Sequence, residues 1–229
     1  MYDKGWENMT PRIVFEQELE LLRTKVSEMG ERAELSYNRL LVAIARNDRS
    51  TMTQLLDSDR QMIDMQREIE SKSLSILTKQ QPVARDLRLV SSALKVVTDI
   101  ERVGDHVSDI AELFLRSDSV MGETPIEKNL EQMMEEAKVM FCMAIEAFVD
   151  ADEVTARKVV EMDDIVDDLF NKVKEEMMDA IVDQSLNADK VVDYLMVAKY
   201  LEKIGDHAVN IAEWAIFQVT GDMQGTKLY

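Results

Sequence analysis

Cysteine, proline, glycine, histidine and aromatic residues are all scarce in this chain. Its 229 residues include one Cys, three Pro, seven Gly and two His, and 6% are aromatic. The single cysteine, Cys142, excludes an intrachain disulfide and fits a reducing compartment. Set among Met140, Phe141 and Met143, it reads as a core residue. No stretch approaches the roughly 18 apolar residues of a membrane helix, and the first ten residues lack the apolar segment of a secretion signal. Positive charge is also short: 27 Lys and Arg against 45 Asp and Glu give a net charge of −18. Such a surface repels a phosphate backbone and anionic lipid, so neither nucleic acid nor direct membrane insertion is expected. Cations and basic patches on partner proteins remain as ligands. Also missing are a Gly-x-Ser-x-Gly elbow, a P-loop, a nucleotide-binding glycine loop and a Cys–His pair placed for nucleophilic catalysis. These absences point to a soluble cytoplasmic protein without visible catalytic machinery.

What the chain has is helix. Leu, Met, Glu, Lys and Ala dominate periodic stretches, and the 16 methionines suit helix–helix cores as flexible fillers. Thr10-Pro11 announces a first helix, in which Phe15, Leu19, Leu22, Val26, Met29, Ala33, Tyr37, Leu40 and Ile44 recur at spacings of three and four. Ser50 or Thr51 is expected to cap a second helix, running through Leu55, Met62, Ile69 and Leu77 to about Lys79. Gln80-Gln81-Pro82 then breaks the pattern, and a third helix covers roughly 83–116. A linker is expected at 117–123. Thr124-Pro125-Ile126-Glu127 next forms a capping box for a fourth helix with the seam Leu130, Met134, Ala137, Phe141, Ala144 and Phe148. After the turn Asp150-Ala151-Asp152, a fifth helix reaches about Gln184. A sixth runs from about Ala188 to Val219 and stops at Gly221. Short connections make neighbours antiparallel. The fold class read from this pattern is all-α: two tandem, similar three-helix bundles built from six long antiparallel helices, with boundaries at 10–117 and 124–221.

The two halves share a segment: Glu101-Arg-Val-Gly-Asp-His-Val-Ser-Asp-Ile-Ala-Glu112 and Glu202-Lys-Ile-Gly-Asp-His-Ala-Val-Asn-Ile-Ala-Glu213, offset by 101 residues, with both histidines at equivalent places. In the preceding helices Asp163 matches Asp59 at an offset of 104. On a helical wheel Glu101, Asp105, Asp109 and Glu112 fall within about 80° of one another. Two readings of this stripe stand side by side. It lies at the flank of the core, where a solvated acidic face needs no ligand, since like charges four residues apart cost only a few tenths of a kcal/mol in water. Against that, Gly104 and Gly205 sit at the border between stripe and core, at a helix-stability cost of about 1 kcal/mol each relative to alanine. Close approach of the preceding helix would explain them. That helix carries Asp163 and Asp167 on one face, and facing carboxylate pairs repel unless a hard cation such as Mg²⁺, Mn²⁺, Ca²⁺ or iron lies between them. In the first half Ile63 stands where Asp167 stands in the second, Asp64 is offset by about 140° from Asp59, and in the last helix Asn210 replaces the acid found at Asp109. The candidate metal ligands are therefore Asp59, Asp64, Glu101, Asp105, Asp109, Asp163, Asp167, Glu202, Asp206 and Asn210. His106 and His207 are wrongly spaced for a Glu-x-x-His di-iron site and are expected to hydrogen-bond at the helix flank or behind the ligands.

These motifs, Glu101-x-x-x-Asp105-x-x-x-Asp109, Asp163-x-x-x-Asp167 and Glu202-x-x-x-Asp206, together with Gln81-Pro82-Val83-Ala84-Arg85-Asp86-Leu87-Arg88, resemble those of the PhoU family over about residues 15–219. The resemblance implies a non-enzymatic cytoplasmic regulator of phosphate uptake and phosphate-starvation signalling. Its implied partners are the ATP-binding subunit of a phosphate ABC transporter and a phosphate-sensing histidine kinase, and a homodimer is expected. It also implies metal clusters on the acid motifs, with iron, Mg, Mn, Zn or Ca as the ion. Arg85 and Arg88 are read as a phosphate contact or a surface salt bridge. Two other classes stay open: a carboxylate-bridged metalloenzyme, and a purely structural helical adaptor without metal.

Overall fold

The computed structural model describes residues 11–56, 59–116, 121–122, 124–223 and 226–227. Every member of the first apolar stripe from Leu19 to Ile44 is buried on α1 (Pro11–Arg46), as the three-and-four spacing predicts. Thr10, its expected cap, lies outside the described residues. α2 (Arg49–Leu56) and α3 (Asp59–Gln80) occupy the stretch where one helix is predicted, and residues 57 and 58 between them lie outside the described residues. The cap of α2 differs from the expectation of Ser50 or Thr51. It is Asp48, whose Oδ1 accepts from Thr51 N (3.1 Å) and whose Oδ2 accepts from the Thr51 hydroxyl (2.7 Å). A carboxylate serves the orphan N–H groups of a helix start better than a hydroxyl because it also complements the helix dipole.

α4 (Ala84–Arg116) follows the Pro82 break, and the predicted linker at 117–123 lies mostly outside the described residues. α5 (Pro125–Asp150) starts with the predicted capping box at Thr124 and Glu127. Ala151 takes a left-handed φ of 55°, and Asp152 caps α6 (Glu153–Val182) through Val154 N and Thr155 N. Asp152 and Thr155 repeat the Asp48 and Thr51 turn at the same offset of 104 that relates Asp59 to Asp163, a repeat sequence reading passed over. α7 (Ala188–Thr220) ends at Gly221, whose φ of 76° suits glycine. A short antiparallel pair not anticipated from sequence, β1 (Asp222–Met223) with β2 (Thr226–Lys227), follows it.

Long-range bonds fix the arrangement. In the first bundle α1 and α3 run antiparallel, tied by Lys25 to Glu68 (2.6 Å) and Gln80 to Glu18 (3.1 Å), and α4 returns beside them with the Ser108 hydroxyl on Leu55 O (3.1 Å). In the second, α5 and α6 are antiparallel through Asn129 and Glu176 (2.8 Å), and α7 returns alongside. Two antiparallel seams then join the bundles. One pairs α1 with α5, where the buried Tyr37 hydroxyl donates to Met134 O (2.9 Å) and Gly30 lets Ile145 approach closely. The other pairs α4 with α7 along their length, from Arg88 beside Gln218 to Arg116 beside Asp193.

Arginines close three helix C-termini, two across these seams and one, at α4, within the first bundle. Arg23 donates to Val149 O at the end of α5, Arg49 to Leu115 O at the end of α4, and Arg88 to Gln218 O (3.1 Å) and Val219 O (3.3 Å) at the end of α7. A fixed cation there satisfies orphan carbonyls and complements the negative end of the helix dipole. Arg88 is thus occupied by backbone, while Arg85 is exposed. Replacing Arg88 with alanine is expected to cost about 1–2 kcal/mol, read as a lower denaturant midpoint with an unchanged slope.

Candidate functional site

The carboxylates of the second bundle come together where α6 meets α7. The contact is close because position 205 is glycine: a Cβ there would sit 3.4 Å from Val166 Cγ1 and 3.6 Å from Asp163 Oδ1. Gly104 makes the equivalent approach to Met62, which is Val166 less the repeat offset of 104, with a Cβ 3.5 Å from Met62 Cγ. Both glycines therefore serve the helix contact anticipated for them. Around Gly205 lie Asp163 and Asp167 from α6 and Glu202 and Asp206 from α7.

The electrostatics show how close these acids are. Burial, then the charges of Asp167 and Asp206, push the Asp163 carboxyl up to about 6. Asp167 is raised as well, by burial and then by Glu202 and Asp206. Neither pairs with a basic side chain among the described residues. Glu202 is held by Lys199 (2.6 Å) and Lys203 (3.3 Å), and Lys203 also binds Asp206. Two ammonium groups thus stand in for a cation on the α7 side, while the α6 side stays uncompensated. The donors are all oxygens, a set suited to hard cations. As the side chains stand, no three His, Cys, Asp or Glu among the described residues are arranged to hold an ion. In donor chemistry and charge the four acids fit such an ion, and holding one would require Glu202 and Asp206 to leave their lysines.

The remaining candidates are placed differently. Glu101 and Asp105 lie on α4 beside Arg102, at 3.6 Å and 3.0 Å. Asp59 opens α3, but its side chain lies outside the described residues. Asp64 is exposed, near Arg67 (3.9 Å), and lines a surface groove with Glu28, Glu31 and Arg32, so it is not brought to Glu101 and Asp105.

Asp109 and Asn210, the third positions of the two stripes, turn toward the seam between bundles. Asp109 lies 3.5 Å from His106 Nδ1, and Asn210 Nδ2 donates to Asp99 Oδ1 (3.2 Å). The same Asp99 oxygen accepts from His207 Nδ1 at 2.8 Å. His106 stacks on Tyr200 with ring centroids 5.4 Å apart, and the two imidazoles are 5.6 Å from each other. Burial, then the neighbouring His207, outweigh the hydrogen bond to Asp109 and hold the His106 imidazole below its ordinary value. The histidines do hydrogen-bond at the helix flank, His106 to Asp109 and His207 to Asp99, but Asp99 and the stacked ring of Tyr200 escaped sequence reading. The available signal was spacing: Asp99 precedes His106 by seven residues, and Tyr200 precedes His207 by the same seven, which puts each pair on one helix face. Equivalent residues meeting each other in this way mark a pseudo-two-fold axis between the bundles. Cys142 is partly buried against the core, and burial pushes its thiol up to about 12, away from nucleophilic use.

No helix among the described residues is long and apolar enough to cross a membrane. The PhoU domain model matches residues 26–114 and again 130–215. The chain is 34% identical over 213 residues to a phosphate-specific transport system accessory protein PhoU homolog of Clostridium acetobutylicum, spanning 92% of this chain and 96% of that protein. A homolog of the same description from Thermotoga maritima is 31% identical over 93% of this chain and 92% of its own. The crystal structure of PhoU from Pseudomonas aeruginosa superposes with a TM-score of 0.85 at 30% identity, covering 91% of this chain and all of that one. With the fold, the repeated acid motifs and these matches together, the chain belongs to the PhoU family.

Proposed function

We propose that this chain is a non-enzymatic regulator in phosphate uptake, an adaptor that joins the ATP-binding subunit of a phosphate ABC transporter to a phosphate-sensing histidine kinase and carries metal ions on its carboxylates. The observation that carries the reading is the likeness to phosphate-specific transport accessory proteins over 92% of the chain. The acid cluster at the α6–α7 contact supports the metal part. Asp163, Asp167, Glu202 and Asp206 would hold a hard cation, which supplies the positive charge that Asp163 and Asp167 lack. Glu101, Asp105 and Asp59 are proposed as the weaker, first-bundle donors and Asp109 and Asn210 as flanking ones, while Asp64, in the groove beside Arg67, is left out. Bound metal would brace neighbouring helices and make their outward surface a function of ion supply.

Two measurements test the two parts separately. Elemental analysis of protein loaded with iron, manganese, magnesium, zinc or calcium should show bound metal in the wild type and a clear loss in the variant carrying Glu202→Ala with Asp206→Ala. Unchanged content would remove these ligands from the proposal. Immobilised protein should retain the transporter ATP-binding subunit and the sensor kinase from detergent extract, and retention of neither would remove the adaptor role.

A further inference from the structure

The outer face of the α6–α7 hairpin carries large apolar side chains that the described residues leave exposed. Met178 (61% exposed), Ile181 (57%) and Val182 (84%) crowd the end of α6, while Val192 (57%), Leu195 and Met196 lie at the start of α7. They form one patch. On α6, Met178 and Ile181 lie within about 40° of Asp167, and on α7 Val192 and Leu195 lie within about 40° of Asp206. The two acid-bearing faces are already in contact at Gly205 and Asp163. One step nearer the hairpin they touch again, where Lys199 lies over the Phe170 ring at 5.4 Å. Continuing the antiparallel ladder toward the loop at 183–187 brings Met178 and Ile181 beside Val192 and Leu195, with Val182 and Met196 at the edges, about 60° from Asp167 and about 80° from Asp206.

The first bundle supplies an internal control. At the repeat offsets of 104 and 101, Leu74, Leu77 and Leu94 stand for Met178, Ile181 and Leu195, but Thr78, Ser91 and Lys95 stand for Val182, Val192 and Met196. Charge diverges with it. α3 carries four acids and four bases, whereas α6 carries nine acids against four bases. Glu175, Asp183 and Asp189, all exposed, border the patch, while Lys174 and Lys199 over the Phe170 ring close its end nearer Gly205. Fold and repeat therefore do not demand an apolar surface of this breadth here, since the other copy carries only half of it. An apolar patch with a charged rim marks an interaction surface.

We propose that this face of the second bundle docks a basic amphipathic helix of a partner protein, whose apolar stripe covers Met178, Ile181, Val182, Val192, Leu195 and Met196 while its Lys and Arg residues meet the acidic rim. Helix-in-groove recognition uses this pairing of apolar anchors with complementary charge. A second copy of the chain is the poorer occupant, because a two-fold contact would set this acidic rim against itself. The inference deepens the adaptor reading and is tested apart from it.

The probe is a fluorescent Leu–Lys amphipathic helical peptide of about 18 residues, titrated by anisotropy against the full chain. Met178→Lys with Val192→Lys is compared with Leu74→Lys plus Ser91→Lys, the equivalent sites of the first bundle with the same change in net charge. All four positions are outside the core, and circular dichroism checks the fold. The second-bundle variant should weaken binding at least about tenfold, the first-bundle variant less than about twofold, and a Leu–Glu peptide should not bind. Equal weakening by both variants would mean general charge attraction, and absent binding would mean no such surface. A wild-type dimer by analytical ultracentrifugation that the second-bundle variant dissolves would assign the face to a second copy. Any of these three overturns the proposal. The adaptor reading would still stand or fall on retention of transporter and kinase.

Discussion

Replacing Glu127 with alanine should cost about 3 kcal/mol of stability, the largest loss expected from any single polar side chain here. Glu127 is 1% exposed. Its Oε1 accepts from the Tyr194 hydroxyl (2.6 Å) and Lys190 Nζ (3.0 Å), and its Oε2 from Thr124 N (3.2 Å) and the Thr124 hydroxyl (2.8 Å). Burial alone would push this carboxyl up, but the bonds from Tyr194, Thr124 and Lys190 outweigh it and hold the group at about 2, against an ordinary 4.5. Removing it loses the capping box, strands the buried Tyr194 hydroxyl and leaves Lys190 without its counter-charge. Because the folded value is depressed, this contribution is complete above about 4.5 and fades as pH falls toward about 2. Chemical denaturation across that range should therefore show a shallower acid loss in the variant than in the wild type. Equal slopes and a cost below about 1 kcal/mol would mean that the network does not tie α5 to α7.

The second large effect runs the other way: Gln218→Met should stabilise the protein by about 1–3 kcal/mol. Gln218 lies in the last turns of α7 with no exposed surface, and both its amide nitrogen and its amide oxygen lack a hydrogen-bond partner among the described residues. Its backbone carbonyl, in contrast, is satisfied by Arg88. Methionine nearly conserves the volume and flexibility of the side chain while removing the unpaired amide. The readout is a higher melting temperature with cooperative unfolding preserved. A fall in stability would show that the amide is paired in solution. Glu127 and Gln218 are thus opposite cases of buried polarity, one with every oxygen served and one with none.

Much of this was legible in the amino-acid order. The stripe from Leu19 to Ile44 and the seam from Leu130 to Phe148 follow from apolar spacing, because a helix must bury one face. Gly104 and Gly205 announced close helix contacts, and the repeat offsets carried Asp163 onto the face that meets Glu202 and Asp206. The seam between bundles was not legible. Periodicity says which face is buried but not which helix buries it, so the pairing of α4 with α7 and of His207 with Asp99 required coordinates. Asp48 was passed over as a cap because hydroxyl residues two and three positions later fit the same pattern. Glu127 was read only as a capping-box acid, since its other partners, Lys190 and Tyr194, are more than sixty residues away. Asp64 was separated from Asp59 by wheel angle alone, and the Asp59 side chain lies outside the described residues.

The seam at His106 and His207 has a consequence for how the two halves can differ. A chain with only one such bundle could close the same contact only by self-association, and every substitution would then fall on both sides at once. Carrying both halves in one polypeptide removes that restriction. Asp99 and Tyr200 occupy matching places, yet one offers a carboxylate to an imidazole and the other a ring face. The molecule can therefore present unlike surfaces to unlike partners from a nearly symmetrical frame.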